Sequence, residues 1–574
     1  MSTMRLTGAQ IVWKCLEREG VDTVFGYPGG CVLPLYDALQ HTPSIHHVLV
    51  RHEQGAAHMA DGYSRATGKV GVALATSGPG ATNLVTGIAT AMLDSSPIVC
   101  LTGQVGSKFI GTDAFQEIDI TGITMPITKH NYMVTDVNDV ARTLREAFII
   151  ARSGRPGPVL VDITKDAQMG SCDFEWDFVM PRLRKLETWG DPDPAQIAEA
   201  AALINRAERP VILAGHGVLQ SGAMRDLQLL AETSDIPVAL TLLGLGAFPH
   251  FHPLSMGMMG MHGEAWVNHA IQSADLLIAL GMRFDDRVTG KLDSYAQGAK
   301  KIHVDIDASE IHKNVCADVA IVGDLKHVLP KLIPQTTPRK RSTYWAEIRD
   351  AKGEVAVRDI RNIPDTGHLY AAHVINDLWR ETDGKALIVS DVGQHQMWEA
   401  QYYHHNAPRT LITSGGLGTM GFALPAAIGA KMARPEAEVW VVVGDGGFQM
   451  TMCELATIVQ EKVNLKIAII NNGYLGMVRQ WQEFFYDKRY VATPLVAPDF
   501  AALANSFGIR GETVTTRKDV IPTIESARKS DQTVLIDFRV EQEDSVYPMV
   551  PAGAALHDMI RRPNNPLVET ASEP

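Results

Sequence analysis

The 574-residue chain has only six cysteines, Cys15, Cys31, Cys100, Cys172, Cys316 and Cys453, and no CxxC pair. Thiols scattered in this way encode neither a zinc cluster nor a disulfide framework, and a reducing compartment suits them. A basic block is also missing: 52 Lys and Arg face 65 Asp and Glu, a formal charge of −13, which disfavours nucleic acid and anionic membranes as partners. No apolar run approaches the ~18 residues of a membrane-spanning helix. The opening MSTMRLTGAQ has neither the charged-then-apolar form of a signal peptide nor an Arg/Ser-rich transit segment. The chain therefore reads as a soluble cytoplasmic protein whose partners are small molecules or proteins.

What is present is ordinary globular composition, with 45% hydrophobic residues, 49 Gly and 30 Pro, at a length that allows three or four domains. Short apolar runs end in Gly-rich turns and lead into helical patterns: Val70 to Ala75 before TSGPGATN, Ala274 to Leu280 before GMRFDDR, Val439 to Val443 before GDGG. Runs apolar at every position are strands buried on both faces, so the class is α/β with doubly wound parallel sheets. Two stretches rich in Pro and charge break the alternation, Pro181 to Pro194 and roughly Pro334 to Thr366. Both read as linkers, the second with some helix, and they divide the chain into domains at 1–180, 191–335 and 366–574. Thr76 to Thr82 (TSGPGAT) and Thr413 to Thr419 (TSGGLGT) each set a Gly-rich turn before an Ala-rich helix, which makes the first and third domains candidates for a duplication.

The sharpest local signal is Gly444-Asp445-Gly446-Gly447 after an apolar strand, followed by a helical stretch and a second strand, Leu465 to Ile470, that ends in Asn471-Asn472. An Asp carboxylate and an Asn amide oxygen are hard ligands suited to Mg²⁺, which keeps water and phosphate oxygens in its shell. The glycines let backbone N–H groups approach an anion, so a diphosphate held through Mg²⁺ follows. Taken alone, GDG is also common tight-turn chemistry. With NN about two dozen residues later, it resembles the pattern of thiamine diphosphate enzymes. From Gly26 to about Ile560 the chain resembles the acetohydroxyacid synthase (acetolactate synthase) family of catalytic subunits. The motifs are VFGYPGG, RHEQGAAHMADGY, TSGPGATN, GTDAFQE, GRPGPV, GMMGMHG, GMRFDDRVTG, DVGQHQMW, TSGGLGTMG, NNGYLGMVRQW and VYPMVP.

The resemblance implies a role for each matching residue. Asp445 and Asn472 would bind Mg²⁺, with the backbone carbonyl of Tyr474 as a third ligand. Gly393, Gln394 and His395, with Gly418, Gly444, Gly446 and Gly447, would hold thiamine diphosphate. Glu53 matches the family's catalytic glutamate, which hydrogen-bonds the aminopyrimidine ring and favours the imino tautomer whose nitrogen removes the thiazolium C2 proton. Met420 matches the bulky residue that props the cofactor in its bent form. Gly30 and Gln116 match residues beside the oxygen charge that develops on the reacting carbon. Gly215, His262, Gly263, Arg283, Asp305 and Asp324, together with Arg155, match FAD contacts; most stand at strand ends, where open α/β sheets take nucleotides. Trp481 matches a tryptophan that favours 2-oxobutyrate over a second pyruvate as acceptor, and the guanidinium of Arg287 suits the acceptor carboxylate.

The implied activity is decarboxylation of pyruvate and ligation of the remaining two-carbon unit to pyruvate or 2-oxobutyrate, the first common step of valine, leucine and isoleucine biosynthesis. The flavin would be structural, because this reaction has no net redox change. The implied organisation has a first domain on the pyrimidine side of the cofactor, a central FAD domain, and a third domain on the diphosphate and Mg²⁺ side that ends in a C-terminal lid. The implied assembly is a homodimer or dimer of dimers, in which Glu53 of one chain faces the GDG turn of another, with a regulatory small subunit besides. A pyruvate oxidase or decarboxylase is the alternative within the superfamily, and NNGYLGMVRQW and RFDDR weigh against it. A noncatalytic cofactor-binding protein would have no need of Glu53, Asp445 and Asn472 together. Gly106, where many members have Pro, and Cys31, where Ala is frequent, fall at the implied substrate channel. His46-His47 and His404-His405 match no functional segment and read as surface or packing residues.

Overall fold

Three six-stranded sheets, each parallel throughout, follow one another along the chain. The computed structural model describes residues 4–177, 191–356 and 367–562. In the first sheet the strands lie in the order 46–49, 23–26, 71–75, 98–104, 159–164, 130–134. In the third they lie in the order 411–413, 387–390, 439–444, 466–471, 534–539, 510–514. Numbered along the chain within each domain, both read 2-1-3-4-6-5, so the two domains share a topology. The middle sheet runs 255–258, 238–240, 210–214, 276–280, 300–305, 319–322, or 3-2-1-4-5-6, the order of dinucleotide-binding folds. The chain is α/β with three doubly wound domains, the first and third related.

The shared strand order puts the duplication on a different footing from the Gly-rich turns. TSGPGAT follows the third strand of its domain, Gly71–Ala75, whereas TSGGLGT follows the second, Leu411–Thr413. The topological counterpart of TSGPGAT is therefore the GDGG turn after Val439–Gly444, and that of TSGGLGT is the Arg51-His52-Glu53 turn after His46–Leu49. The likeness of the two Gly-rich segments reflects common turn chemistry at non-equivalent sites.

Buried on both faces, the strands send alternate side chains to opposite cores. Val72 and Leu74 enter one core and Ala73 and Ala75 another; Trp440 and Val442 separate in the same way from Val441 and Val443. The core that holds Ala73 and Ala75 also holds Val441 and Val443, so the outer domains share it. At its centre helix Glu53–Thr67 lies against helix Ala423–Ala433, and glycine permits the close approach. A Cβ added at Gly62 would stand 2.0 Å from the Ala426 carbonyl oxygen, and one at Gly429 would stand 1.9 Å from that of Met59. Helix Glu53–Thr67 starts where His52 Nδ1 accepts the Gln54 N–H, and stops at Gly68, whose φ of +79° an L side chain rarely adopts.

The first linker lies mostly outside the described residues; its last residue, Pro194, opens helix Pro194–Arg206. The second linker carries helix Ser342–Ala356. After the last strand, the chain turns back over the middle domain. The Val550 N–H donates to Met261 O at 2.9 Å, and the Lys291 N–H donates to Ala554 O at 2.9 Å. Among the described residues no helix is long and apolar enough to cross a membrane.

Candidate active site

The GDG turn sits where a buried strand passes straight into helix Asp445–Thr451, so Asp445 is the first residue of that helix. It lines a small cavity of about 60 Å³ with Asn472, Tyr474, Gly393, Gln394, His395 and Met420. Of the paired asparagines, Asn471 turns to the neighbouring strand, donating from Nδ2 to Asp537 Oδ1 at 2.9 Å, and Asn472 faces the cavity. Asp445 is nearly fully buried, and its Oδ2 has no hydrogen-bond partner. Burial pushes its carboxyl up to about 7. An orphaned carboxylate oxygen beside an amide oxygen and a backbone carbonyl is the donor set a small divalent cation takes, with phosphate and water completing an octahedron. Among the described residues there is no cluster of three or more His, Cys, Asp or Glu for a metal. The glycines clear the space: a Cβ at Gly446 would stand 2.9 Å from Leu475 Cδ2, and one at Gly447 would stand 2.7 Å from Asp391 Oδ2.

His395 and Gln394 shape this cavity, the first through the backbone and the second mainly through side chains. His395 Nε2 accepts the Gly444 N–H at 3.2 Å, and burial holds the imidazole down at about 3, so the neutral ring pins the GDG turn. Gln394 Nε2 donates to Gln480 Oε1 at 2.8 Å and to Asp544 O at 3.1 Å, and its Oε1 accepts from Asn472 Nδ2 at 3.1 Å. The Asn472 amide is thereby oriented, with its Oδ1 accepting the Tyr474 N–H at 3.1 Å. Gly418 takes φ +74° in the 413–421 turn beside Val392. Asp391 joins that turn to the strand end, accepting the N–H groups of Val392 at 2.8 Å and Gly421 at 3.0 Å.

In the first domain Glu53, Gly30 and Gln116 converge on the turn 76–80. Glu53 is the first residue of its helix, where Asn83 Nδ2 donates to Oε2 at 2.9 Å; its Oε1 lies 3.3 Å from where a Gly80 Cβ would stand. Gln116, at φ +60°, packs on Gly78, whose added Cβ would lie 2.9 Å from Gln116 Cβ. Beside Gly30, which has open space around it, a Cβ at Gly29 would strike the Thr76 side chain at 2.4 Å, and the Cys31 N–H donates to Thr76 Oγ1 at 3.2 Å. None of the three lines the GDG cavity or the larger one described next. In the segment that carries Gln116, Phe115 is 87% exposed and Phe109 59%. Gly106 has φ −57°, a value that proline adopts.

A cavity of about 1010 Å³ opens at the carboxyl ends of the middle sheet. It lies at the ends of the adjacent strands Pro210–Ala214 and Leu276–Leu280, where the strand order reverses, the switch point at which such sheets bind nucleotides. Arg155, His262, Arg283, Asp305 and Asp324 line it. Gly215 and Gly263 do not line it and act by close packing: a Cβ at Gly215 would meet Gly281 O at 2.4 Å, and one at Gly263 would meet the Met259 backbone at 2.4 Å. Burial raises the Asp305 carboxyl to about 6. Arg155 Nη1 lies 2.8 Å from Glu310 Oε1 and 3.3 Å from Asp307 Oδ2. This cavity and the smaller one share Val392, Gly393, Met420, Met477 and Val478, so Met420 stands at their junction. Arg287 and Trp481 line the large cavity; Trp481 shares helix Gly476–Phe485 with Met477 and Val478 of the junction.

Three family models match in chain order: the thiamine pyrophosphate enzyme N-terminal TPP binding domain over residues 6–123, its central domain over 197–332, and its C-terminal TPP binding domain over 391–538. The chain is 51% identical to the acetolactate synthase of Mycobacterium leprae over 586 residues, covering 100% of this chain and 93% of the relative. The chain belongs to the acetolactate synthase family of thiamine pyrophosphate enzymes. It is 50% identical to the acetolactate synthase large subunit of Corynebacterium glutamicum over 568 residues (97% of this chain, 90% of the relative). With the large subunit of Parasynechococcus marenigrum identity is 46% over 572 residues, covering 98% and 92%.

Sequence reasoning missed the residues that hold the site from a distance. Asn83 ends TSGPGATN and Asp391 opens DVGQHQMW, so both stand inside motifs as polar residues. Asp94 and Glu454 carry no local signal. His404 and His405 are buried: His404 stacks on His250 with ring centroids 3.9 Å apart, and His405 Nε2 lies 2.8 Å from Glu399 Oε1.

Proposed function

We propose that this chain is the catalytic subunit that decarboxylates pyruvate and joins the two-carbon remainder to a second 2-oxoacid, giving 2-acetolactate from pyruvate or 2-aceto-2-hydroxybutyrate from 2-oxobutyrate. The observation that carries the reading is the unpartnered, buried Oδ2 of Asp445 beside Asn472. Asp445, Asn472 and the Tyr474 carbonyl would hold Mg²⁺, and the glycines at 444, 446 and 447 leave room for the diphosphate. Thiamine diphosphate, when bound, supplies the carbon nucleophile and the electron sink. Met420, at the junction of the two cavities, would prop the cofactor, and Glu53, oriented by Asn83, would hold a proton against its pyrimidine nitrogen. Gly30 and Gln116 would face the reacting oxygen. Glu53 lines neither cavity, and the segment that carries Gln116 exposes Phe109 and Phe115; a second copy of the chain would complete each site.

The large cavity would take FAD. Its cationic Arg155 and Arg283 suit a diphosphate, and its carboxylates Asp305 and Asp324 suit ribose hydroxyls. The flavin would have no redox step to perform. Trp481 and Arg287, which line the large cavity, would receive the acceptor, Arg287 by binding the acceptor's carboxylate. The large-subunit names of relatives support a regulatory small subunit as partner, and the reading places the work in the cytoplasm, in branched-chain amino acid synthesis.

The test is product analysis of the purified protein given pyruvate, thiamine diphosphate, Mg²⁺ and FAD without oxygen. Acetolactate equal to the carbon dioxide released is the expected result, and Glu53→Gln should retain cofactor while slowing it severely. Acetaldehyde, or acetate formed only on readmitting oxygen, would move the chain to the decarboxylase or oxidase branch.

A further inference from the structure

Glu454 follows the helix that Asp445 opens, is fully buried, and reaches out of its own domain. Its Oε1 accepts the N–H groups of Arg51 and His52, each at 3.1 Å; its Oε2 accepts the Arg51 N–H at 3.2 Å and the Thr457 hydroxyl at 2.6 Å. Those two amides immediately precede Glu53, at a helix start where N–H groups have no intrahelical acceptor. The fit is close: a Cβ at Gly55 would stand 2.4 Å from Glu454 Oε1. Arg51 tightens the same junction, donating from Nη2 to Gln460 Oε1 at 2.8 Å and from Nη1 to Leu49 O at 2.7 Å.

We propose that Glu454 is a positioning residue for Glu53: by gripping the amides of residues 51 and 52, it sets where the helix begins and so where the Glu53 carboxylate stands. The turn 452–454, which follows the helix that Asp445 opens, thereby fixes the carboxylate of the other domain. A carboxylate suits the task because it offers acceptors only, whereas an amide in its place would turn an NH₂ group toward one backbone N–H. The inference rests on the role proposed above for Glu53.

The full-length protein and its Glu454→Ala, Glu454→Gln and Glu53→Gln variants test it. Two quantities are read: amide hydrogen exchange at residues 49–55 without cofactor, and exchange of the thiamine diphosphate C2 proton with cofactor and Mg²⁺ added. Glu454→Ala is expected to speed amide exchange at 51 and 52 and to slow C2 exchange by about 100-fold, the cost of a roughly 1 Å misplacement. The KM for pyruvate and the affinity for cofactor should stay unchanged, and Glu454→Gln, which keeps one acceptor, should recover part of the rate. If the alanine variant does not fold, the glutamine variant carries the same two readouts. C2 exchange at the parent rate, or a loss of cofactor affinity as large as the loss of exchange, overturns the inference. Glu53→Gln separates the two ideas: if it too leaves C2 exchange intact, the reading of Glu53 fails, and if it alone slows exchange, only the role of Glu454 fails.

Discussion

Arg65 Nη2 lies 2.9 Å from Asp94 Oδ2, both side chains buried, where the first domain meets the third. Arg65 also grips Asp61, with Nε 2.7 Å from Oδ1, and donates from Nη1 to Thr413 O at 2.7 Å. Asp94 accepts the Gly415 and Gly416 N–H groups at 3.1 and 2.6 Å, so one pair fixes the turn that leads to Gly418 and Met420. Asp94→Ala leaves two amides and one N–H of a buried guanidinium without acceptors, Arg65 Nη2 keeping its bond to Asp61 Oδ2 at 2.9 Å. The expected loss is about 3–5 kcal/mol, read by chemical unfolding. A change near ~0.5 kcal/mol would place Asp94 with exposed ion pairs.

The helix contact at Gly429 should be equally intolerant. Gly429→Ala places a methyl 1.9 Å from the Met59 carbonyl oxygen, and backbone rather than a flexible side chain must move. A loss of at least ~1–3 kcal/mol is expected. Gly298→Ala, with nothing within 4 Å, is the control and should unfold at the parent midpoint.

At the proposed metal site the two states should respond with opposite sign. Asp445→Asn removes a buried charge whose Oδ2 has no partner, so the cofactor-free protein should melt higher. The same change should weaken Mg²⁺-dependent binding of thiamine diphosphate by at least ~10-fold, since loss of a ligand costs no less than loss of a supporting contact. Calorimetric titration and thermal unfolding decide both; unchanged affinity would remove Asp445 from the metal shell.

Acid sensitivity follows from buried imidazoles. Burial holds His58 at about 4, below the usual 6.5, and His47, His216 and His262 are likewise held at about 4. Between these values the unfolded chain binds protons that the folded chain does not. The contribution of these rings is therefore full above about 6.5 and is lost as pH drops towards 4, by up to ~1.4 kcal/mol per pH unit for each ring. Asp445 and Asp305, whose carboxyls burial raises, act in the opposite sense, so the test is the difference between parent and His58→Gln: across that range the parent should lose more stability, or gain less, than the variant as pH falls.

Much of the local architecture was legible in the chain. The run Val439 to Val443 is apolar at every position because both faces of its strand are covered, and the glycines after it mark where backbone must approach a ligand. Glu53 was legible through its motif, although it read as a strand end and stands instead in the first turn of a helix. The pairing of TSGPGAT with TSGGLGT misled, because Gly-rich turns recur wherever a parallel strand enters a helix, whatever its place in the sheet. Asp94 and Glu454 were not legible: their partners lie 321 and 403 residues away, and a lone acid in an apolar helix pattern does not announce what it will meet.

The sequence by itself determined the α/β class, the strand-to-helix turns and the Asp445-Asn472 pair, because periodicity and short-range motifs depend on neighbours along the chain. The tertiary structure alone decided the matched 2-1-3-4-6-5 order of the outer sheets, the shared core that Gly62 and Gly429 permit, and the hold of Glu454 on the residues before Glu53. Those depend on which surfaces meet across hundreds of residues, where burial turns a single carboxylate or a missing Cβ into the condition for contact.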